Sequence, residues 1–143
     1  MALLSCVLAL LAACSSLEAV ATPADAQGIF EELARRGGSV TEIVSGETGC
    51  GEADLVDNAI RFRLLAPGAA EPATVHLFIF RGRAAFDQGT EPVERCRSTF
   101  ESGAPGSVGG LAVAPYRVFA SGWSPEAGEL LETTLEAMAG DPR

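Results

Sequence analysis

The sequence predicts an α+β domain, in which helices pack on an antiparallel sheet of about four strands. Two observations lead to this prediction. Short segments have the alternating or doubly apolar pattern of strands, and longer segments have the apolar spacing of amphipathic helices. Gly- and Pro-rich stretches between them indicate turns. The predicted order of elements is α-β-β-β-α-β-α.

The first helix is predicted in residues 22–38, TPADAQGIFEELARRGG. Thr22 can cap this helix and Pro23 suits its first position. The pair Gly37 and Gly38 ends it. Its apolar stripe consists of Ile29, Phe30 and Leu33.

Three strands are predicted next. Residues 39–46, SVTEIVSG, form a short strand, and residues 59–65, AIRFRLL, form a half-buried one. In the second segment Arg61 and Arg63 alternate with apolar residues and lie on its solvated face. Residues 73–82, ATVHLFIFRG, are apolar on both faces, which predicts a central strand.

The second helix is predicted in residues 90–103, TEPVERCRSTFESG, with Thr90 as its cap. Its inward-facing residues are Val93, Cys96 and Phe100. Residues 104–110 are predicted as a flexible turn. Residues 111–122, LAVAPYRVFASG, are predicted as one final strand, which Pro115 interrupts and therefore places at a sheet edge.

The last helix is predicted in residues 124–140, where Ser124 caps, Pro125 opens and Gly140 closes the segment. At about 100° per residue, its apolar positions share one arc. They are Ala127, Leu130, Leu131, Thr134, Leu135 and Met138. The opposite arc carries Glu126, Glu129, Glu132 and Glu136, which we interpret as an ordinary solvent face.

The amino-terminal segment predicts export. Residues 2–13, ALLSCVLALLAA, carry no charged side chain. This run is shorter than the roughly 20 apolar residues of a membrane-spanning helix, and it fits the hydrophobic region of a secretory signal. Its end, Leu11-Ala12-Ala13-Cys14, resembles a bacterial lipobox. The resemblance implies a diacylglycerol thioether on Cys14 and cleavage before that residue.

The expected organisation is a signal peptide in residues 1–13, a lipidated tether in residues 14–22 and a single α+β domain in residues 23–143. Two alternatives are an ordinary signal cleaved later, after Ala21, and a short uncleaved anchor. Two acyl chains make a stable anchor where one holds only marginally, so diacylation of Cys14 would hold the protein at the membrane.

The charge balance excludes several functions. The chain has 19 acidic and 10 basic residues, for a net charge of −9, and every basic residue is arginine. This balance argues against nucleic-acid binding, which needs a basic face, and against electrostatic adhesion to anionic lipid. The lack of lysine excludes Schiff-base chemistry on a lysine side chain.

The four cysteines divide into two pairs. Cys6 would leave with the signal peptide, and Cys14 would carry the lipid. Cys50 and Cys96 remain in an oxidising compartment, where we expect them to form a disulfide. The alternative is a redox or metal pair, which neither a CxxC spacing nor a nearby histidine supports.

No catalytic, cofactor-binding or metal-binding residue is predicted. His76, the only histidine, would have to serve any Ser-His-Asp or Cys-His arrangement, but its position in the most apolar strand favours a structural role. A calcium site is an alternative for the acidic loop. Its carboxylates belong to Glu47, Glu52, Asp54 and Asp57. Their spacing does not match an EF-hand, and a solvated loop explains them equally well.

Two further features have both a structural and a functional interpretation. Five arginines could cluster to bind a carboxylate or phosphate, although surface ion pairs are the simpler interpretation. These arginines are Arg61, Arg63, Arg81, Arg83 and Arg117. Trp123 could be an exposed recognition aromatic, but we expect its indole to cover the start of the last helix.

Across residues 28–100 the chain resembles small uncharacterised bacterial lipoproteins in the order and spacing of its segments. These segments are a helix that ends in glycine, the strand SVTEIVSG, an acidic loop, and the strands DNAIRFRLL and VHLFIF. The resemblance implies a lipid-anchored α+β domain and supplies no active-site residues. We therefore expect an extracytoplasmic protein at the cell membrane or outer membrane, with diacylglycerol as its contact to the membrane.

The expected role is a non-catalytic binding or interaction module with an unidentified protein or small-molecule partner and no nucleic acid. Two alternatives remain open. One is a small hydrolase or lyase that uses His76 with a carboxylate. The other is a carrier of an apolar ligand held in a cavity between the sheet and the last helix.

Overall fold

A computed structural model describes residues 26–139. Its helices are α1 Gln27–Arg35, α2 Arg83–Gln88, α3 Thr90–Gly103 and α4 Pro125–Ala139, with a 3-10 helix at Ala53–Asn58. Its strands are β1 Ser39–Ser45, β2 Ala59–Leu65, β3 Ala73–Ile79, β4 Val108–Val113 and β5 Tyr116–Ser121. The predicted signal peptide and tether lie outside the described residues. The predicted start of the first helix at Thr22 and Pro23 was wrong, because α1 begins at Gln27 with Ala26 at its N-cap position.

The five strands form one antiparallel sheet in the order β1-β2-β3-β5-β4. This confirms the α+β class and the antiparallel sheet with helices packed on it, with five strands instead of about four. Two neighbouring pairs, β2–β3 and β3–β5, make β3 the central strand, as its apolar pattern predicted.

The additional strand comes from the segment predicted as one strand in residues 111–122. That prediction was wrong, because Ala114 and Pro115 form a turn between β4 and β5. Pro115 has no backbone N–H for a sheet ladder, which suits a turn better than a strand interior. The strand after the turn, β5, lies inside the sheet, and β4 lies at the edge. The predicted turn in residues 104–110 supplies the first part of β4.

The helices α1 and α4 pack against each other and cover one face of the sheet. The ring of Phe30 meets that of Phe62 edge-on, with centroids 5.2 Å apart. Ser124 caps α4 as predicted, since its Oγ accepts a hydrogen bond from the Ala127 N–H at 3.2 Å. The predicted apolar arc of α4 is buried, and Met138 at its end is half-buried.

The other face of the sheet is covered by the 3-10 helix, α2 and α3. Its core consists of Leu55, Ala59, Phe78, Phe80, Phe86, Val93, Cys96 and Phe119. The short helix α2 was not predicted from the sequence. Thr90 begins α3, but its side chain does not cap the helix. Its hydroxyl instead accepts a hydrogen bond from Arg117.

The two edges of the sheet differ. The β1–β2 pairing is interrupted by a register shift between Thr41 and Val44, where Glu42 has a φ of +54°. The β4–β5 pairing runs without a shift from Val108 to Val113. Among residues 26–139, none of the helices has the length and apolar character needed to cross a bilayer.

Candidate functional site

The residues of chemical interest meet around the loop that follows β1. Cys50 in this loop and Cys96 in α3 form a disulfide with their Cα atoms 5.1 Å apart, which confirms the predicted pairing. Cys96 is fully buried and Cys50 is half-buried. The disulfide therefore ties the loop to the helix that covers the second face of the sheet.

The buried side chain of Thr48 shapes the same loop. Its Oγ1 accepts hydrogen bonds from the N–H groups of Cys50, at 3.4 Å, and Gly51, at 3.2 Å. Gly49 and Gly51 have φ values of +80° and +79°, a conformation that glycine adopts without a steric cost. The loop thus bends back on itself before it reaches the disulfide.

His76, in the central strand β3, contacts the underside of this loop, the side that faces the sheet. The imidazole is 2 % exposed, and its Nδ1 donates a hydrogen bond to the main-chain oxygen of Glu47 at 3.2 Å. The ring stacks on Phe119 and meets Phe100 edge-on, each with centroids 5.0 Å apart. Gly49 lies directly against the ring, because a Cβ there would come within 2.7 Å of its Cε1.

Burial lowers the pKa of His76 below its usual value, since the loss of solvation outweighs the hydrogen bond to the Glu47 carbonyl. The imidazole is therefore neutral near pH 7. A carbonyl only accepts hydrogen bonds, so the proton lies on Nδ1. A general base must reach the proton it removes, and this ring is covered by Gly49 on one side and Phe119 on another.

The acidic residues of the loop pair with arginines instead of converging. Glu47 contacts Arg61 at 2.9 Å, and Glu52 contacts Arg95 at 3.4 Å. Asp54 and Asp57 lie in the 3-10 helix and are exposed. Within the described part of the chain, no three His, Cys, Asp or Glu side chains form a group that could hold a metal ion.

The structure divides the arginines that the sequence offered as an anion site between two places. Arg61 and Arg63 each lie 3.9 Å from Glu42, and Arg61 also pairs with Glu47. Arg83 and Arg117 both lie near the ring of Phe86, and Arg83 pairs with Asp87 at 3.1 Å. The contacts of Arg61, Arg63 and Arg83 fit the interpretation that arginines offset acidic residues through ion pairs.

Arg117 has a structural role that sequence reasoning missed. Its Nε and Nη2 donate to the main-chain oxygen of Phe86 at 3.2 and 3.1 Å, and Nη2 also donates to the Thr90 hydroxyl. Its Cζ lies 4.0 Å from the centroid of the Phe86 ring. Arg117 thus joins β5 to α2 and to the start of α3. The alternation of YRVFAS already places it on the same face as Phe119.

Trp123 lies where it was expected, against the start of α4. The half-buried indole packs on two glycines, Gly109 in β4 and Gly128 in α4. A Cβ would come within 2.3 Å of the ring at the first position and within 2.9 Å at the second. The ring therefore fills the gap between the edge strand and the last helix.

Two of the open clefts lie between α3 and the sheet. One, of about 460 Å³, lies beside Gly49 and Phe100, and its lining residues include Thr74, Thr99 and Ser121. The other is a groove of about 280 Å³ between α3 and β4. Its walls are Val93, Glu94 and Arg97 from α3 and Gly110, Leu111, Ala112, Arg117 and Val118 from the sheet. We call this second cleft the edge groove.

Comparison of the chain with protein-family models, with curated proteins and with solved structures found no match.

Proposed function

We propose that this chain is a lipid-anchored extracytoplasmic protein whose α+β domain is a non-catalytic interaction module. The observation that carries the proposal is the Cys50–Cys96 disulfide, because structural disulfides persist in oxidising compartments. The lipobox-like Leu11–Cys14 at the end of an apolar run accounts for delivery to such a compartment and for the anchor.

The environment of His76 supports a non-catalytic role. Its Nδ1 proton is donated to the Glu47 carbonyl, its ring is enclosed by Phe100 and Phe119, and burial keeps it neutral. A hydrolase or lyase would need this imidazole to face a substrate beside a carboxylate. The alternative of a His76-dependent enzyme therefore has no support in the geometry around this residue.

The packing under α4 bears on the alternative of an apolar-ligand carrier. Leu131 and Leu135 are fully buried against a sheet face that includes Phe62 and Val75, which are fully buried as well. Side chains thus occupy the space that this alternative assigns to a ligand, and both open clefts described above lie on the opposite face. An interaction at the surface is the better supported role.

Intact mass spectrometry of the protein from the membrane fraction of a bacterial host tests the anchor. We expect a chain that begins at Cys14 and carries the added mass of diacylglycerol. Cys14→Ala should abolish both the added mass and the membrane localisation. Cys6→Ala is the matched control, because it makes the same substitution within the same apolar run and should change neither.

A different result would refute the anchor. An unmodified chain that begins near Thr22 and accumulates in the medium would make this a free secreted domain. Equal membrane localisation of the wild type and Cys14→Ala would show that the thiol does not carry the anchor.

A further inference from the structure

The larger of the two clefts described above, of about 460 Å³, lies at the carboxyl end of α3. The sheet contributes Thr74 and Ser121 to its lining, and α3 contributes Phe100 and Gly103. We call it the hydroxyl cleft. Its volume falls within the range of about 300–1,000 Å³ that is typical of small-molecule sites.

Two hydroxyl side chains lie next to each other in the hydroxyl cleft, because Thr74 in β3 pairs directly with Ser121 in β5. Side chains alternate along a strand, so Thr74 shares the face of His76. Ser121 shares the face of Phe119 for the same reason. The rings of His76 and Phe119 both contact Phe100 in α3. Thr74 and Ser121 therefore extend from the sheet on the side of α3, into the cleft that they line.

Both hydroxyls are available to a ligand. The two side chains are half-buried, and neither has a hydrogen-bond partner within residues 26–139. A hydroxyl can donate one hydrogen bond and accept two. The last carbonyl groups of a helix also have no partner within that helix. At the end of α3 they lie beside Gly103, which lines the cleft and has no side chain to cover them.

The lining of the hydroxyl cleft contains no charged residue from the described part of the chain, although the whole sequence has 19 acidic and 10 basic residues. The edge groove, by contrast, includes one glutamate and two arginines. Arg63, the neighbour of Thr74 in β2, lies outside the lining and 3.9 Å from Glu42. An ion in the cleft would lose hydration without gaining a counter-charge from the lining. The lining therefore favours a neutral ligand.

The remaining wall of the hydroxyl cleft is apolar and includes Phe100, Ala104 and Pro105. A wholly apolar ligand would cover the hydroxyls of Thr74 and Ser121 and leave them without partners, which carries a desolvation penalty. A sugar ring matches both parts of the lining. Its hydroxyl groups donate and accept hydrogen bonds, and its C–H face is apolar.

We propose that the hydroxyl cleft binds a small neutral sugar. The sugar hydroxyl groups would exchange hydrogen bonds with Thr74 and Ser121, and the C–H face would pack against Phe100. This inference deepens the proposed interaction module and rests on it, because it assigns the module a class of small-molecule partner.

The probes are four neutral monosaccharides, namely glucose, galactose, mannose and N-acetylglucosamine. Each is titrated separately into the untagged chain as it is purified from the bacterial host, and amide chemical shifts report where it binds. We expect at least one sugar to bind with a dissociation constant on the order of 1 mM, in line with the few atoms of a sugar ring. The shifts should centre on Thr74, Gly103 and Ser121. The ring of His76, the only histidine, contacts Phe100 and provides a further signal.

Matched variants test the lining. Thr74→Val removes a hydroxyl at nearly constant shape and should weaken binding about three- to tenfold, whereas Thr41→Val in the exposed part of β1 should not. Gly103→Leu should abolish binding by filling the cleft, and a Cβ at this position meets nothing within 4 Å. Ser102→Leu adds the same side chain one residue away, outside the lining, and should leave binding unchanged. Unchanged circular dichroism separates loss of binding from loss of the fold.

Several outcomes would overturn the inference. They are the absence of shifts with all four sugars at tenfold the expected dissociation constant, shifts confined to residues outside the cleft, and undiminished binding to Gly103→Leu. Tighter binding of glucose phosphate than of glucose would assign the cleft to an anion instead. The titration accepts whatever amino terminus the purified chain has, so its failure is distinct from failure of the lipid anchor.

Discussion

The imidazole of His76 donates a hydrogen bond to the main-chain oxygen of Glu47, 29 residues earlier in the chain, at 3.2 Å. This contact links the central strand to the loop that carries Cys50. The loop is thus fixed at two points, by the hydrogen bond from His76 in β3 and by the disulfide to Cys96 in α3. Its conformation depends on residues far away in the sequence, which makes the contact testable through stability.

The burial of His76 should make stability depend on pH. Its folded-state pKa lies below the 6.5 of an unfolded chain, so the unfolded state binds the extra proton first as the pH falls. The stabilisation is complete above pH 6.5 and decreases towards the folded-state pKa, by at most about 1.4 kcal/mol per pH unit. We expect urea titrations between pH 8 and about pH 5 to show this slope.

His76→Gln is the control for the pH dependence. Glutamine retains an N–H donor but does not titrate, so the difference between wild type and variant isolates the histidine from the carboxylates. Parallel stability profiles for the two proteins would contradict the assignment of a buried neutral imidazole.

Removal of the disulfide should lower the free energy of unfolding by about 4 kcal/mol, because the bond closes a 46-residue loop and restricts the unfolded chain. Urea unfolding with and without dithiothreitol measures the difference. The double variant Cys50→Ser/Cys96→Ala should resemble the reduced wild type and should not respond to dithiothreitol. An unchanged midpoint on reduction would argue against a stabilising role for the bond.

Gly49→Ala should destabilise the fold more than Gly51→Ala does. Both glycines have a positive φ, so alanine costs about 1–2 kcal/mol of backbone strain at either position. At Gly49 the new Cβ would also overlap the ring of His76, whereas at Gly51 nothing lies within 4 Å. We expect an additional loss of about 1–3 kcal/mol at Gly49, measured by thermal or urea unfolding. Equal losses would show that the ring does not pack on this glycine.

Arg117→Lys should cost about 2 kcal/mol of stability, because a single ammonium group cannot reproduce the hydrogen bonds to Phe86 and Thr90 together with the stacking on Phe86. Arg83→Lys is the matched control. Arg83 is exposed and lies 5.7 Å from the same ring, so its replacement should cost less than about 0.5 kcal/mol. A similar effect of both variants would argue against Arg117 as the link between β5 and α2.

Thr134→Val should stabilise the protein by about 1 kcal/mol. The Oγ1 of Thr134 is buried without a hydrogen-bond partner in the described structure, and such a group carries a desolvation penalty. The neighbouring Thr133 is exposed and donates to the Glu129 carbonyl, so Thr133→Val should not stabilise the fold. A destabilised Thr134→Val variant would indicate that its hydroxyl has a partner in solution.

The elements that were predicted well are those whose pattern lies within one segment. The boundaries of β2 match the alternating AIRFRLL, and α3 spans the predicted residues 90–103. The buried arc of α4 follows from helical periodicity, and its Ser124 cap is a local contact as well. Neighbours along the chain determine these features, so a single sequence contains the information.

The sequence predictions were wrong where contacts between distant segments determine the secondary structure. The sequence predicts that Pro115 interrupts one strand. In the structure the segments on either side of Pro115 pair with each other, so this residue lies in a turn. The second segment, β5, also pairs with β3 and therefore lies inside the sheet. The short helix α2 has six residues, fewer than two helical turns, and its junction with α3 is held by Arg117 from a distant strand. Local propensity does not contain that contact.

The sequence by itself predicted the α+β class, the amphipathic helices, the acidic character of the chain and the pairing of Cys50 with Cys96. Only the tertiary structure decided that the ring of His76 packs on Gly49, that Arg117 joins β5 to α2 and that β4 lies at an edge of the sheet formed by residues 26–139. The physical reason is that periodicity and capping act between near neighbours, whereas burial, register and strand order depend on segments that meet only when the chain folds.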